Sequence, residues 1–126
     1  MSKTEISNET LIALVERATG QKIEVRKVNV ETEDSPVIGQ LCVVRTYSAG
    51  VHIGTIIAKN GTNVLLEDSV RLWKWTEAFT LSEVATKGVG KQSRISARVP
   101  LVELCQAIEI IPTSTVAAKT FEPRNA

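Results

Sequence analysis

The chain has 126 residues, of which 43% are apolar and 4% aromatic, with 15 basic and 14 acidic side chains, one His and two Cys. That length suits one domain with a packed core and is short for two. No stretch approaches the ~20 apolar residues of a membrane-spanning helix, and the N-terminus lacks the basic-then-apolar order of a signal peptide.

In chain order, Ser7 or Asn8 caps a helix running to about Ala18. Leu11, Leu14, Val15 and Ala18 form its apolar stripe, and Gly20 ends it. "QKIEVRKVNVET" alternates as Ile23/Val25 and then Val28/Val30, a phase slip that predicts a bulge near Arg26 and Lys27. "EDSPVIG" reads as a turn or linker. It divides an extension of helix and strand, residues 1–38, from a β core at 39–112, with 113–126 as a tail.

The core opens with the strand "QLCVVRTY", the turn "SAG" and the strand "VHIGTIIAK". Asn60-Gly61 is the strongest hairpin signal in the chain, with both residues expected at positive φ. "TNVLLED" and "VRLWKW" continue the meander. Gly54 within a strand predicts a bend or the close approach of another group. Thr80 and Glu83 have the spacing of a capping box, so a short helix is expected after Thr80, closed by Gly88. "GVGKQS" is a loop. "RISARV" reads as a strand with Arg94, Ser96 and Arg98 on one face, broken by Pro100. "ELCQAIEIIP" reads as the last strand, with Cys105, Ala107, Glu109 and Ile111 on one face. "TSTVAAKTF" suits a short helix capped by Thr113 or Ser114, and "EPRNA" is expected to be mobile unless a neighbouring subunit holds it. The fold class is therefore α+β: an antiparallel sheet of five to seven strands, with a barrel-like roll as one form of it, a short helix after Thr80 and an N-terminal helix.

Enzyme signatures are missing, and the expectation is a protein without catalytic activity or cofactor. One His and two distant Cys build neither a His-rich metal site nor a structural zinc site. There is no Walker loop, and "GVG" follows a helix where a phosphate cradle opens one. Cys42 and Cys105 both sit in apolar runs and are expected as buried thiols in a reducing cytosol, ahead of a cross-strand disulfide. A thiol nucleophile with His52 as base lacks any neighbour that would lower the thiol's pKa.

An arginine and aromatic set remains. Arg45 and Tyr47 share a strand face, Arg71, Trp73 and Trp75 another, and Arg94 and Arg98 a third. Guanidinium groups bind phosphate through paired hydrogen bonds, and Trp or Tyr rings stack on a nucleobase. Residues 41–100 carry eight basic and four acidic side chains, net +4. That balance suits a small anionic ligand or an acidic partner better than duplex nucleic acid. The candidate binding set is Arg45, Tyr47, His52, Arg71, Trp75, Arg94 and Arg98. Trp73 is weighed more as a core residue, Trp75 evenly between core and ligand platform, and His52 as a hydrogen-bonded hairpin residue ahead of a catalyst.

The ordered motifs "RTYSAGVHIG", "RLWKW", "LSEVATKG" and "AIEIIP" cover about residues 42–118. In them the sequence resembles a family of small phage and prophage proteins. Members often carry a second arginine before Leu-Trp, where this chain has Val70. The resemblance implies a phage-encoded protein, in the host cytoplasm or in the particle, with no membrane partner and no agreed activity. Two functions fit it. One is an oligomeric accessory protein that binds a nucleotide-like or other anionic ligand, for example a host defence signal. The other is a structural component of the particle, a head-decoration or connector subunit.

Overall fold

A computed structural model describes residues 3–6 and 30–126. The expected N-terminal helix and the phase slip near Arg26 lie outside the described residues. Two short strands, β1 (Lys3–Ile6) and β2 (Val30–Glu33), pair antiparallel. A turn through Pro36–Gly39 leads into β3 (Leu41–Thr46), β4 (Val51–Asn60) and β5 (Asn63–Lys74). Helix α1 (Leu81–Lys87) follows, then β6 (Arg94–Ile95), β7 (Val99–Leu104), β8 (Ala107–Pro112) and helix α2 (Thr115–Ala118).

The main sheet has six antiparallel strands in the order β6-β5-β4-β3-β8, with β7 also paired to β5. It is open: β7 and β8 lie on opposite flanks and form no ladder with each other, so the roll does not close into a barrel. The sheet is nonetheless curled. Only Cys105 and Gln106 separate β7 from β8, and this corner bonds both hairpin tips. Tyr47 N donates to Gln106 O at 2.9 Å, and Ala107 N donates to Thr62 O at 3.0 Å.

The sequence dictates where the curl occurs. The β4–β5 register slips between Ile53 and Thr55 and again between Ile56 and Ala58. Opposite the first slip, Asp68 takes φ 52°, a bulge conformation that bends the long hairpin. Gly54 allows the strands to meet there: a Cβ at Gly54 would lie 2.8 Å from Ser69 Cβ and 3.2 Å from Glu67 O. The close approach read from the sequence is therefore that of β5 itself.

Alternation on β3 feeds two cores. Val43, with Ile53, Val70 and Leu72, faces α1, Val89, Ala117 and Phe121. Cys42 and Val44 face the inside of the curl, with Ile56, Val64, Leu66 and Leu104. Helix α1 forms as its signals require: Thr80 Oγ1 accepts from Glu83 N at 3.2 Å, and Gly88, at φ 86°, returns its N–H to Val84 O. The Glu83 carboxylate instead meets Lys87 Nζ at 3.6 Å, a helical i,i+4 pair.

Several expectations are corrected. The β4–β5 loop is Gly61-Thr62, since Asn60 pairs with Asn63, and only Gly61 takes positive φ, at 62°. A glycine at the first central position is the type II′ solution, which leaves Asn60 in the strand. "RISARV" is not one strand: β6 stops at Ile95, where Ser96 Oγ turns to accept Arg71 N at 2.8 Å. Pro100 does not break a strand but lies within β7, an edge position where its missing N–H costs nothing. "ELCQAIEIIP" is two strands with a corner at Cys105-Gln106, so Cys105 is exposed and not the buried thiol expected. The short helix expected over "TSTVAAKTF" is present, and the segment beyond it is tied to the sheet. Ser114 caps α2, Ala117 and Phe121 are buried, and Arg124 and Ile95 exchange backbone hydrogen bonds at 2.9 and 3.0 Å.

Candidate functional site

The β3–β4 hairpin is held rigidly at its tip. Gly50, at φ 81°, closes the loop. Thr46 Oγ1 donates to Gly50 O and accepts from Ala49 N, both at 2.8 Å. From below, His52 Nε2 lies 2.9 Å from Ala49 O, so the ring in its Nε2–H tautomer donates to that carbonyl. Gln106 braces the outer side, with its side-chain oxygen 3.3 Å from Ser48 Oγ.

Register sets what lies next to this tip. Val44, His52 and Arg71 stand opposite one another across β3, β4 and β5 and share a face. Arg45, Val51 and Leu72 form the adjacent row, on the other face. His52 is buried. Burial pushes its imidazole below the usual value, the Arg71 charge adds to that shift, and the Ala49 hydrogen bond opposes it. The ring is thus a neutral support beneath the loop.

A cleft of ≈ 350 Å³ opens between the 48–51 tip and the end of β5, lined there by Arg71, Leu72, Trp73 and Trp75. The Arg71 guanidinium sits over the Trp73 ring, 5.1 Å from its centroid. Among the described residues Arg71 has no carboxylate within ion-pair distance. Trp75 is half-buried and packs against the α1-side core, so its ring is fixed from behind. The arrangement offers a cation, two indole rings and the backbone of a glycine-containing loop to one small space.

The seven sequence-predicted residues divide. Arg71 and Trp75 line the cleft, and His52 supports its wall. Tyr47 projects from the same hairpin, 77% exposed, without lining the cleft. Arg45 lies at the same end of the sheet but on the opposite face, across from Glu109 of β8. Arg94 and Arg98 are elsewhere, tied to the C-terminal segment. Arg94 Nε donates to Asn125 O at 3.1 Å, and Arg98 bridges Asp68 at 3.6 Å and Glu122 at 3.0 Å. Trp73, weighed as core, is 58% exposed. The β5–β6 register slips between Leu72 and Lys74, so the strand's alternation does not carry through to Trp75. Sequence reasoning missed the loop backbone as a wall, although Gly50 signalled it.

Burial pushes the Cys42 thiol up to about 11, which leaves it unreactive, and His52 is committed to Ala49. No group of three or more metal-ligating side chains occurs among the described residues, and no described helix is long and apolar enough to cross a membrane. A larger hollow, ≈ 680 Å³, lies against Thr32–Pro36, Ile38 and Ile57. Among the described residues its ionisable lining is Asp34 and Glu33, the latter 3.5 Å from Lys59 Nζ.

The chain belongs to the family described as a domain of unknown function, DUF6948, whose model matches residues 39–121. That span runs from Gly39 to Phe121 and takes in both hairpins, the cleft and α2. No curated protein and no solved structure matches the chain.

Proposed function

We propose that this protein is a non-catalytic binding protein of phage origin, and that the cleft beside the 48–51 loop takes a small anionic ligand bearing a planar ring, of the nucleotide class. The observation that carries the reading is Arg71, stacked on Trp73, paired with no carboxylate among the described residues and facing a cleft that Trp75 also lines. A stacked guanidinium keeps its N–H edge free for a phosphate or carboxylate, while the indoles supply a face for the ring. The phage setting rests on the four ordered sequence motifs and gives such binding a purpose, the sequestering of a host signal from within the cytoplasm.

Calorimetry against mono-, di- and cyclic nucleotides tests this. Arg71→Ala should lower the affinity by about 1.5–3 kcal/mol, the worth of a charge-assisted hydrogen bond, with little change in melting temperature. No heat with any nucleotide, or equal affinity in the variant, would overturn the reading.

A second reading is assembly into the phage particle. It is favoured by one observation: Tyr47, Trp73 and Phe79, three of five aromatic residues, are 77%, 58% and 92% exposed. Aromatic groups in that state mark contact surfaces. Mass spectrometry of purified particles discriminates, since a sequestering protein stays behind in the lysate.

A further inference from the structure

The cleft beside the 48–51 loop is poor in charge. Among the described residues Arg71 is the one ionisable side chain in its lining, and no carboxylate stands there to seat a divalent cation. The other cations of the region are turned away or engaged. Arg45 lies on the opposite face of the sheet, across from Glu109. Lys74 stands opposite Arg94, outside the lining. Arg94 donates to Asn125 O, and Arg98 is shared between Asp68 and Glu122. The loop itself is largely spent on its own hairpin. Ala49 N donates to Thr46 Oγ1, the Ala49 carbonyl is bound to His52, and the Gly50 carbonyl accepts from both Thr46 N and Thr46 Oγ1. The tip is therefore no cradle of converging N–H groups for a polyphosphate.

We propose, resting on the reading of the cleft given above, that its ligand is the phosphodiester of a single nucleotide unit, a cyclic mononucleotide, taken without a metal ion. A diester carries one negative charge and two free oxygens. With one guanidinium face against Trp73, Arg71 keeps an edge of two parallel N–H groups, which matches both oxygens and balances the charge. A monoester carries about −1.5 to −2 at pH 7, and its surplus charge and third oxygen are left beside Leu72 and two indole rings. Di- and triphosphates bring still more charge, which proteins meet with several cations or with Mg²⁺ held by carboxylates. Neither is present in the lining. Size points the same way. The cleft's ≈ 350 Å³ is near the low end of the ~300–1,000 Å³ of ligand sites, room for one nucleotide unit. A nucleic-acid strand presents the same diester group, but its neighbouring phosphates call for a track of cations that this face lacks among the described residues.

The test titrates the full chain in a calorimeter with 3′,5′-cyclic AMP and cyclic GMP, with 5′-AMP, with ATP in the presence and absence of Mg²⁺, and with a short single-stranded DNA. A cyclic nucleotide should bind about tenfold or more tightly than 5′-AMP or ATP, since the surplus charge of those two finds no partner. Mg²⁺ should leave every affinity unchanged. Arg71→Lys keeps the charge but loses the paired N–H edge, so it should weaken the cyclic nucleotide and bring its affinity level with that of 5′-AMP. Four results would overturn the phosphodiester proposal while leaving the cleft an anion site: 5′-AMP or ATP bound as tightly, an affinity that rises with Mg²⁺, a DNA strand bound more tightly than either cyclic nucleotide, or a preference that survives in Arg71→Lys. No heat with any of the probes would overturn the reading of the cleft itself.

Discussion

Replacing Gly54 with Ala probes the bend on which the curled sheet depends. The added methyl would lie 2.8 Å from Ser69 Cβ and 3.2 Å from both Glu67 O and Leu66 Cβ. None of these is the far end of a flexible side chain, so β4 and β5 must separate locally. Overpacking of this kind costs about 1–3 kcal/mol, and a contact against backbone falls at the upper end. The alanine also narrows the unfolded ensemble, which returns about 0.4–1 kcal/mol. The net loss should be about 2 kcal/mol, a fall of about 6–10 °C in Tm for a chain of this size. The closest contact is with Ser69, so Ser69→Gly introduced together with Gly54→Ala should recover part of the loss. A double-mutant cycle followed by circular dichroism in urea should give a favourable coupling of about 1 kcal/mol. A Gly54→Ala protein that melts with the wild type, or a cycle with no coupling, would refute the close approach of the strands and with it the account of the curl.

Two further predictions concern titratable side chains. The folded-state pKa of His52 lies below its ordinary 6.5, so as pH falls the unfolded chain binds this proton first. The stability due to the neutral ring is complete above about pH 6.5 and is lost as pH falls below it; His52→Gln should flatten the decline of Tm between about pH 6.5 and 5, and an unchanged slope would remove the buried neutral ring from the account. The two thiols should also separate in a labelling assay: Cys105 should react with Ellman's reagent in the native protein, and Cys42, buried and pushed up to about 11, only in denaturant. Two fast-reacting native thiols would contradict the buried position of Cys42.

The meander was legible because its hairpins have local signals. Gly50 and Gly61 punctuate apolar runs whose alternation, Leu41/Val43 against Cys42/Val44, matches the two faces of β3. The capping signal at Thr80 worked for the same reason: its partner is three residues away. Failures cluster where the deciding contact is distant. Nothing at Cys105-Gln106 resembles a turn, and the corner is held by Tyr47 and Thr62, far off in sequence. Arg94 and Arg98 looked free for a ligand because their partners Asn125 and Glu122 come from the C-terminal segment. Trp73 reads as core from its spacing, and a register slip beside it does not show in the residue types. For the cleft, the residue types were readable, but which of them share a face was not. The slips within β5 alter the phase of a two-residue period.

Burial of Phe121 and Ala117 against Val43, Ile53, Val70 and Leu72 has a consequence for the timing of synthesis. A ribosome delivers β3 to β8 first, and these strands can form their ladders while one apolar face is still wet. That face is sealed only when the segment from Thr115 to Phe121 emerges and α2 docks beside α1, with Ser114 N donating to Ala85 O and Ser114 Oγ to Thr86 O. Until then the nascent sheet carries an open hydrophobic surface next to an uncapped β6, because Arg124 has yet to arrive. The interval between the exit of β8 and the exit of Arg124 is therefore when the chain is most exposed to aggregation and to chaperones.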